Sequence, residues 1–348
     1  MRALFFAASL LWALPARAQS PRAELTPQRR AVAAGAAIVP GVLVHGAGHF
    51  VARQPKTGRA LLIVGSGGLA LTGGSLVGLA MTGASRRTVA AFATGMVFGV
   101  GAFSLSTLAD LYGVAMPERW RGRAPSVQPW FTAESGVLYR YDRQFDGRIL
   151  LHQSVDALLA RRHHLRLDFD SMPGDPSSRT RALYGFRVFT GAHDNTHVAV
   201  EIAGLHQRYP IDGFFTSTLE IALSGRVDLA RIGPTLRGSF VEARIGGGLS
   251  ALATSRVSDD DSDELLLLRW GFGAYLGKGR GEVLAYYEHR RDTYAGGLLL
   301  ARGGGYAGFL GGRAHYFLTP QLGVGADVQV GSAVIGGLSL LIRQGASP

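Results

Sequence analysis

The sequence predicts a mixed membrane fold, with N-terminal hydrophobic glycine-zipper α-helices followed by an antiparallel transmembrane β-barrel of about 10–12 strands. Three observations predict it. Residues 321–343, QLGVGADVQVGSAVIGGLSLLIR, carry Leu322, Val324, Ala326, Val328 and Val330 on one parity and Gly323, Gly325, Asp327 and Gln329 on the other. That is the period of a strand with one apolar face. No acid occurs between Glu24 and Asp110, and three long apolar segments fill that interval. From residue 130 onward, alternating segments are joined by connections that are long on one side and short on the other.

The N-terminus comes first in chain order. Arg2, the apolar run LFFAASLLWAL, Pro15 and the small-residue site Ala16-Arg17-Ala18 read as a secretory signal over residues 1–18. Cleavage there lowers the formal charge from +11 to +9, because Arg2 and Arg17 leave and no acid leaves with them. An exported basic chain rarely meets nucleic acid, so the expected partners are membrane lipid and lipopolysaccharide rather than nucleic acid. Cysteine is absent, which excludes disulfides and thiolate metal sites. Glycine numbers 49 in 348 residues, about twice the usual roughly 7%.

Residues 19–116 read as a hydrophobic helical region, with helices expected over about 31–52, 60–84 and 88–109, each long enough to span a bilayer. Ser66, Ala70, Gly74, Gly78 and Thr82 recur every fourth residue, as do Ala91, Gly95 and Gly99, and these stripes predict close helix packing. Pro40 is expected to kink the first helix. His45 and His49 sit one turn apart, a spacing that metal ligation uses, and are weak metal candidates because no third ligand is apparent nearby. Hydrogen bonding across the helix interface is the expected role for both imidazoles. The glycine-rich GSGGLALTGG lies inside an apolar segment without a lysine and predicts no phosphate site.

The string PGVLVHGAGHFVARQPKTGRALL, residues 40–62, resembles small bacterial membrane-hairpin modules, through Pro40, Gly41, Gly48, His49, Phe50 and Gly58. Val51 stands where those modules carry a tyrosine. The resemblance implies a membrane-embedded hairpin and no activity.

A linker rich in Arg and Pro over residues 117–129 precedes the strand block, residues 130–343. There Phe215, Leu219, Ile221 and Leu223 oppose Thr216, Thr218, Glu220, Ala222 and Ser224. The stretch 148–170 reads either as two strands or as one opening with an amphipathic helix. Long polar connections on one side and tight turns on the other, together with aromatics near strand ends (Trp130, Tyr139, Tyr141, Tyr275, Tyr286, Tyr287, Tyr316, Phe317), resemble bacterial outer-membrane β-barrel proteins as a class. The resemblance implies an outer-membrane location in a Gram-negative cell and insertion by the outer-membrane assembly machinery. Such barrels commonly end on an aromatic residue, whereas this chain ends LLIRQGASP.

The polar parity nominates Glu201, Glu220, Glu242, Arg244, Arg269, Glu282, Glu288, Arg290, Arg313, His315, Asp327 and Gln329 as lumen-facing. Opposite charges in a narrow lumen are expected to pair, because unpaired charge away from water is costly. About twelve strands enclose a narrow or occluded lumen. The expected role is structural or narrow transport of an unidentified solute. Two alternatives are a lipid-modifying outer-membrane enzyme and an inner-membrane helical anchor with a soluble periplasmic β domain. No catalytic residue, cofactor or metal is assigned, because none of the eight histidines of the strand block has a serine or acid at a spacing that matches the lipid-cleaving barrels. The acidic run SDDDSDE, residues 258–264, lacks the glycine and ligand spacing of a calcium loop and is expected to be a solvated external loop.

Overall fold

The computed structural model describes residues 25–345, apart from 84, 86–87, 126–127, 143–145, 161, 192–194, 210–212, 255–256, 291–292 and 296–306; the side chains of 253–261 are likewise not described. The expected signal segment therefore lies outside the described residues. The chain divides into two compact units, Met1–Gly122 with Asp228–Phe240, and Arg123–Val227 with Val241–Pro348.

The first unit is helical. Helix α1 (Pro27–Ile38) starts at Thr26, whose hydroxyl accepts the Arg29 N–H, with Pro27 in the first turn. It ends before Pro40, which has no N–H to offer Ala36; the Gly41 N–H takes that carbonyl instead at 2.8 Å. The first apolar segment is thus broken rather than kinked. A turn over residues 39–46 leads to the short helix α2 (Ala47–Val51), entered at Gly46 with φ 81°. A Cβ at Gly46 would stand 2.2 Å from the Gly58 carbonyl oxygen, so this position needs glycine. Two long helices follow, α3 (Pro55–Met81) and α4 (Val89–Ala115). Each has 27 residues, about 40 Å at 1.5 Å per residue, and enough hydropathy to cross a membrane. The hairpin of membrane length is therefore α3–α4, not the 40–62 segment.

Helices α3 and α4 pack through small residues, though on α3 the face differs from the expected one. Ser66, Ala70, Gly74 and Thr82 are exposed, while Gly68, Thr72 and Ser75 meet α4. A Cβ on either Gly68 or Gly99 would come within 2.6 Å of the other's carbonyl oxygen. Gly95 lies against Ser75, and Gly78 against the Phe92 ring. On α4, Gly95 and Gly99 belong to the expected stripe, but Ala91 is exposed. Helix α3 carries small-residue stripes on nearly opposite faces, and spacing alone does not say which one meets a neighbour.

A buried polar cluster ties this unit together. Asp110 accepts the backbone N–H groups of Gly48 and His49, and the His49 Nδ1 lies 2.5 Å from its Oδ1. His49 Nε2 reaches the Thr235 hydroxyl at 3.0 Å, on the short helical turn Pro234–Leu236 that belongs to the connection between strands β6 and β7. Both His49 and Asp110 are essentially buried. Around them the core is made of small side chains, Ala33, Ala37, Ala52 and Val114.

The second unit is a closed barrel of twelve strands, each antiparallel to its sequence neighbour, with β12 (Ala333–Gln344) closing on β1 (Phe131–Asp142) from Phe131↔Gln344 to Asp142↔Ala333. Between them run β2 (Asp146–Ala160), β3 (His163–Ser171), β4 (Ser178–Thr190), β5 (His197–Arg208), β6 (Phe214–Asp228), β7 (Ser239–Thr254), β8 (Val257–Leu276), β9 (Gly281–His289), β10 (Phe309–Phe317) and β11 (Leu322–Val330). The ambiguous stretch 148–170 is two strands, and the acidic run 258–264 lies within β8.

The outer surface of the wall is apolar. Val334, Leu338, Leu340 and Ile342 of β12 are exposed, Leu338 at 72%, as are Leu322, Val324, Val328 and Val330 of β11 and Leu219, Ile221 and Leu223 of β6. The alternate positions, Asp327, Gln329 and Glu220 among them, point into the lumen. A soluble β domain would bury this apolar set, so that alternative does not hold, and the barrel is one that crosses a membrane. Trp130, Tyr139 and Tyr141 are exposed on the outside, whereas Tyr275, Tyr286 and Phe317 are buried on the inward parity.

Two predictions follow from this packing. Leu338→Arg places a charge on the lipid face and lowers barrel stability by about 2–4 kcal/mol, read by denaturant titration in lipid. Asp110→Ala leaves His49 and two backbone N–H groups without their acceptor. It costs about 3–5 kcal/mol in the helical unit, visible as faster proteolysis of residues 25–115.

Candidate functional site: the barrel lumen

Period-two alternation sends every second side chain of twelve strands into one enclosed space, so residues far apart in sequence become neighbours there. Two chambers occupy it. One, of about 270 Å³, is lined by Arg179, Arg181, Arg244, Glu288, Arg290, Asp327 and Gln329, and by Thr293 and Tyr294 from the β9–β10 connection. The other, of about 390 Å³, is lined by Arg226, Glu242, Glu282, His315 and Arg343, and by Pro125, Gln128 and Pro129 of the linker. Glu134, His164, Arg166, Glu201, Arg269 and Arg313 line both and form the waist between them.

The lumen charges are paired. Glu220, fully buried, holds Arg181 and Arg244 at 3.0 Å and also binds Arg290. The Arg244 Nε donates to Glu201 at 2.8 Å. Arg226 binds both Glu242 and Glu282, the latter at 2.8 and 2.9 Å. Arg313 meets Asp327 at 3.2 Å, and the Gln329 amide donates to the same carboxylate at 2.9 Å. Arg269 lies over the Tyr286 ring at 4.3 Å, with Glu242 4.0 Å away. Of the expected lumen residues, Glu201, Glu242, Arg244, Arg269, Glu282, Glu288, Arg290, Arg313, His315, Asp327 and Gln329 line the chambers, and Glu220 lies behind their wall, bonded to Arg181, Arg244 and Arg290.

Several participants escaped sequence reading. Arg166 donates to Asp168 at 2.9 Å, His152 lies 2.6 Å from Asp170, and His164 lies 2.9 Å from Asp156. Arg179, Arg181 and Arg226 join them. All are on the polar parity of β2, β3, β4 and β6, so period-two alternation is the signal that marks them. The histidines do have acidic and hydroxyl neighbours, but across strands: the β2–β3 register sets His152 opposite Asp170 and His164 near Asp156.

Both mouths of the lumen are occupied by chain. At the end that carries the termini, the Arg123 N–H bonds the Gly277 carbonyl of the β8–β9 turn at 3.0 Å, and Pro125 lies beside Gly279. Gln128 bonds Asn195 of the β4–β5 connection and accepts from Arg187. Arg123 and Pro125 thus lie at one turn of that mouth and Gln128 at another. At the far end, Ala295 is buried and its carbonyl accepts the Ser332 hydroxyl at 3.1 Å, which turns Tyr294 inward. Burial pushes the Tyr294 phenol above the usual tyrosine range, with Asp170 adding to the rise, and the Arg140 guanidinium lies 5.4 Å from its ring centre.

The weak metal candidates His45 and His49 are in the helical unit. His49 is held by Asp110 and Thr235. His45 packs against the Phe103 ring at 4.3 Å, its ring nitrogens buried without a hydrogen-bond partner. Among the described residues no group of three or more His, Cys, Asp or Glu is arranged to hold a metal ion. The expectation that no third ligand lies near the two histidines misses Asp110, which folding brings to His49 from 61 residues away.

Arg226→Ala leaves Glu242 and Glu282 buried without their shared cation and destabilises the barrel by about 3–5 kcal/mol. Adding Glu242→Gln and Glu282→Gln recovers part of that loss, checked by the temperature of the folded-to-unfolded mobility shift on gels.

No family model matches the chain, and no curated protein matches it. Among solved structures it is similar to outer membrane protein Omp33 of Acinetobacter baumannii, at 11% identity and a TM-score of 0.34 over 63% of this chain and 99% of that one. It is similar to outer membrane phospholipase A from Escherichia coli, at 11% identity and a TM-score of 0.37 over 63% and 94%. A third is the β domain of the Bordetella autotransporter BrkA, at 14% identity and a TM-score of 0.34 over 62% and 98%. On its own closed wall and apolar exterior, the strand unit has the architecture of the bacterial outer-membrane β-barrels.

Proposed function

We propose that this protein is an outer-membrane barrel that acts as a narrow, normally closed passage for small polar solutes. The observation that carries the reading is the pair of charge-lined chambers meeting at a common waist. The two chambers share six wall residues, so water-sized space bounded by ionic side chains occurs on both sides of the waist. The paired charges limit the width, and Pro125, Gln128 and Pro129 at one mouth and the inturned segment 293–295 at the other provide closures. General porin behaviour does not fit a lumen of this size. The surrounding membrane lipid is met by the apolar wall, and the basic character of the chain, +11 overall, suits a surface rich in anionic lipopolysaccharide. Insertion by the outer-membrane assembly machinery belongs to the same reading.

In planar bilayers the purified protein is expected to show rare, small openings. Replacing residues 124–129 by a Gly-Ser segment of equal length should raise the open fraction, as should Tyr294→Ala. A barrel that stays electrically silent after both changes would sink the passage reading and leave a structural role.

One observation favours lipid modification as a second reading. On the outer surface His206 Nδ1 of β5 lies 3.1 Å from the Ser217 hydroxyl of β6, close to the far rim. No acid or amide is hydrogen-bonded to His206 among the described residues, so the pair lacks the orienting third group that nucleophilic catalysis uses. Phospholipid hydrolysis in mixed micelles is therefore expected to be at background and unchanged in Ser217→Ala; hydrolysis lost in that variant would establish the enzyme instead.

A further inference from the structure

We infer that the chamber toward the far end is a binding site for a small anion of the phosphate or carboxylate class. The inference rests on the lumen being a solute path and names what that path selects. Its basis is a cluster of guanidinium groups on one side of the chamber that share few hydrogen-bonding carboxylates. Arg179, Arg181, Arg244 and Arg269 line it from β4, β7 and β8, with Glu201 and Glu288 in the wall and Glu220 behind it.

The carboxylate that organises this side does not face the space. Glu220 is at 0% exposure and is absent from the chamber wall, yet Arg181, Arg244 and Arg290 all bind it. One buried anion therefore holds three cations, of which Arg181 and Arg244 keep partly exposed edges on the chamber. Glu201 offsets Arg244, and Glu288 stands opposite Arg269 in the β8–β9 register. Arg179 is the least engaged: its nearest carboxylate oxygen, on Asp170, is 3.8 Å away, beyond hydrogen-bond distance, and that carboxylate is already held by His152. The Nε groups of Arg179, Arg181 and Arg269 are buried with no acceptor.

Elsewhere in the wall Asp168 is paired with Arg166 and Asp327 with Arg313, while Glu134 accepts from the Ser339 hydroxyl. A planar guanidinium presents a fork that matches a carboxylate or phosphate. The chamber volume of about 270 Å³ admits phosphate or a short dicarboxylate and falls below the roughly 300–1,000 Å³ of drug-sized pockets.

The test has two independent arms on the full-length protein in detergent and in bilayers. Equilibrium dialysis with labelled inorganic phosphate and with succinate should show saturable binding, weakened about tenfold in Arg179→Gln and more in Arg179→Gln/Arg181→Gln. Arg179→Gln is the primary variant, because its loose contact to Asp170 carries little of the fold, and heat-dependent gel mobility verifies that each variant is folded. Reversal potentials under a salt gradient should report anion preference in the open passage, moving toward the cation side in the same variants. Anion binding without conductance would keep the site and remove the passage. Conductance with cation preference and no phosphate or succinate binding would overturn the anion site and keep the passage. Binding unchanged in the double variant would overturn the assignment to this chamber.

Discussion

The pairing of β1 with β12 is the constraint from which the rest of the barrel follows. Lipid offers no hydrogen bonds, so a sheet inside it must leave no edge, and twelve strands satisfy this only if the last meets the first along its length. Closure fixes the sidedness of the remaining strands, since a slip of one residue would turn Leu338 and Leu340 inward and Ser339 and Leu341 outward. Once the apolar set faces lipid, the ionic residues have only the lumen. There they must find one another, and the network on Glu220 and Arg226 follows from that confinement.

Confinement also explains why the lumen is neither filled nor open. Glycine at positions 136, 325 and 337 brings neighbouring strands and side chains close, so that a Cβ at Gly337 would stand 2.3 Å from the Val137 carbonyl oxygen. Arginine, long and many-donored, reaches across the remaining space to carboxylates on distant strands, as Arg181 and Arg290 reach Glu220. A lumen braced this way keeps water-sized gaps between the braces, and those gaps are the chambers.

Much of the barrel was legible in the sequence, because a strand with one lipid face writes its sidedness into alternate residues. Val324 and Asp327 fall on opposite parities and face opposite sides in the structure. Reading failed where one local pattern has two physical outcomes. Ser66, Ala70 and Gly74 are as small and as regularly spaced as Gly68, Thr72 and Ser75, but only the second set has a helix against it. Tyr275 and Tyr286 resemble interfacial aromatics by position along the strand, yet their parity places them inside. Reading also failed where partners are remote: Asp110 answers His49 across 61 residues, and Arg179 gains its meaning from the crowding around Glu220 on another strand.

The helical unit adds a constraint of its own. Its polar cluster is completed by Thr235, 186 residues after His49 and within the connection that joins β6 to β7. A helix pair 27 residues long can form from local contacts soon after synthesis, but this cluster cannot close until half of the barrel sequence has followed. Until then Asp110 and His49 retain each other without the third partner, in a core of alanines that buries little apolar area per residue. The unit thus takes its final form only when the β6–β7 connection is supplied. By covalent topology alone, the folding of the helices is tied to the folding of the wall.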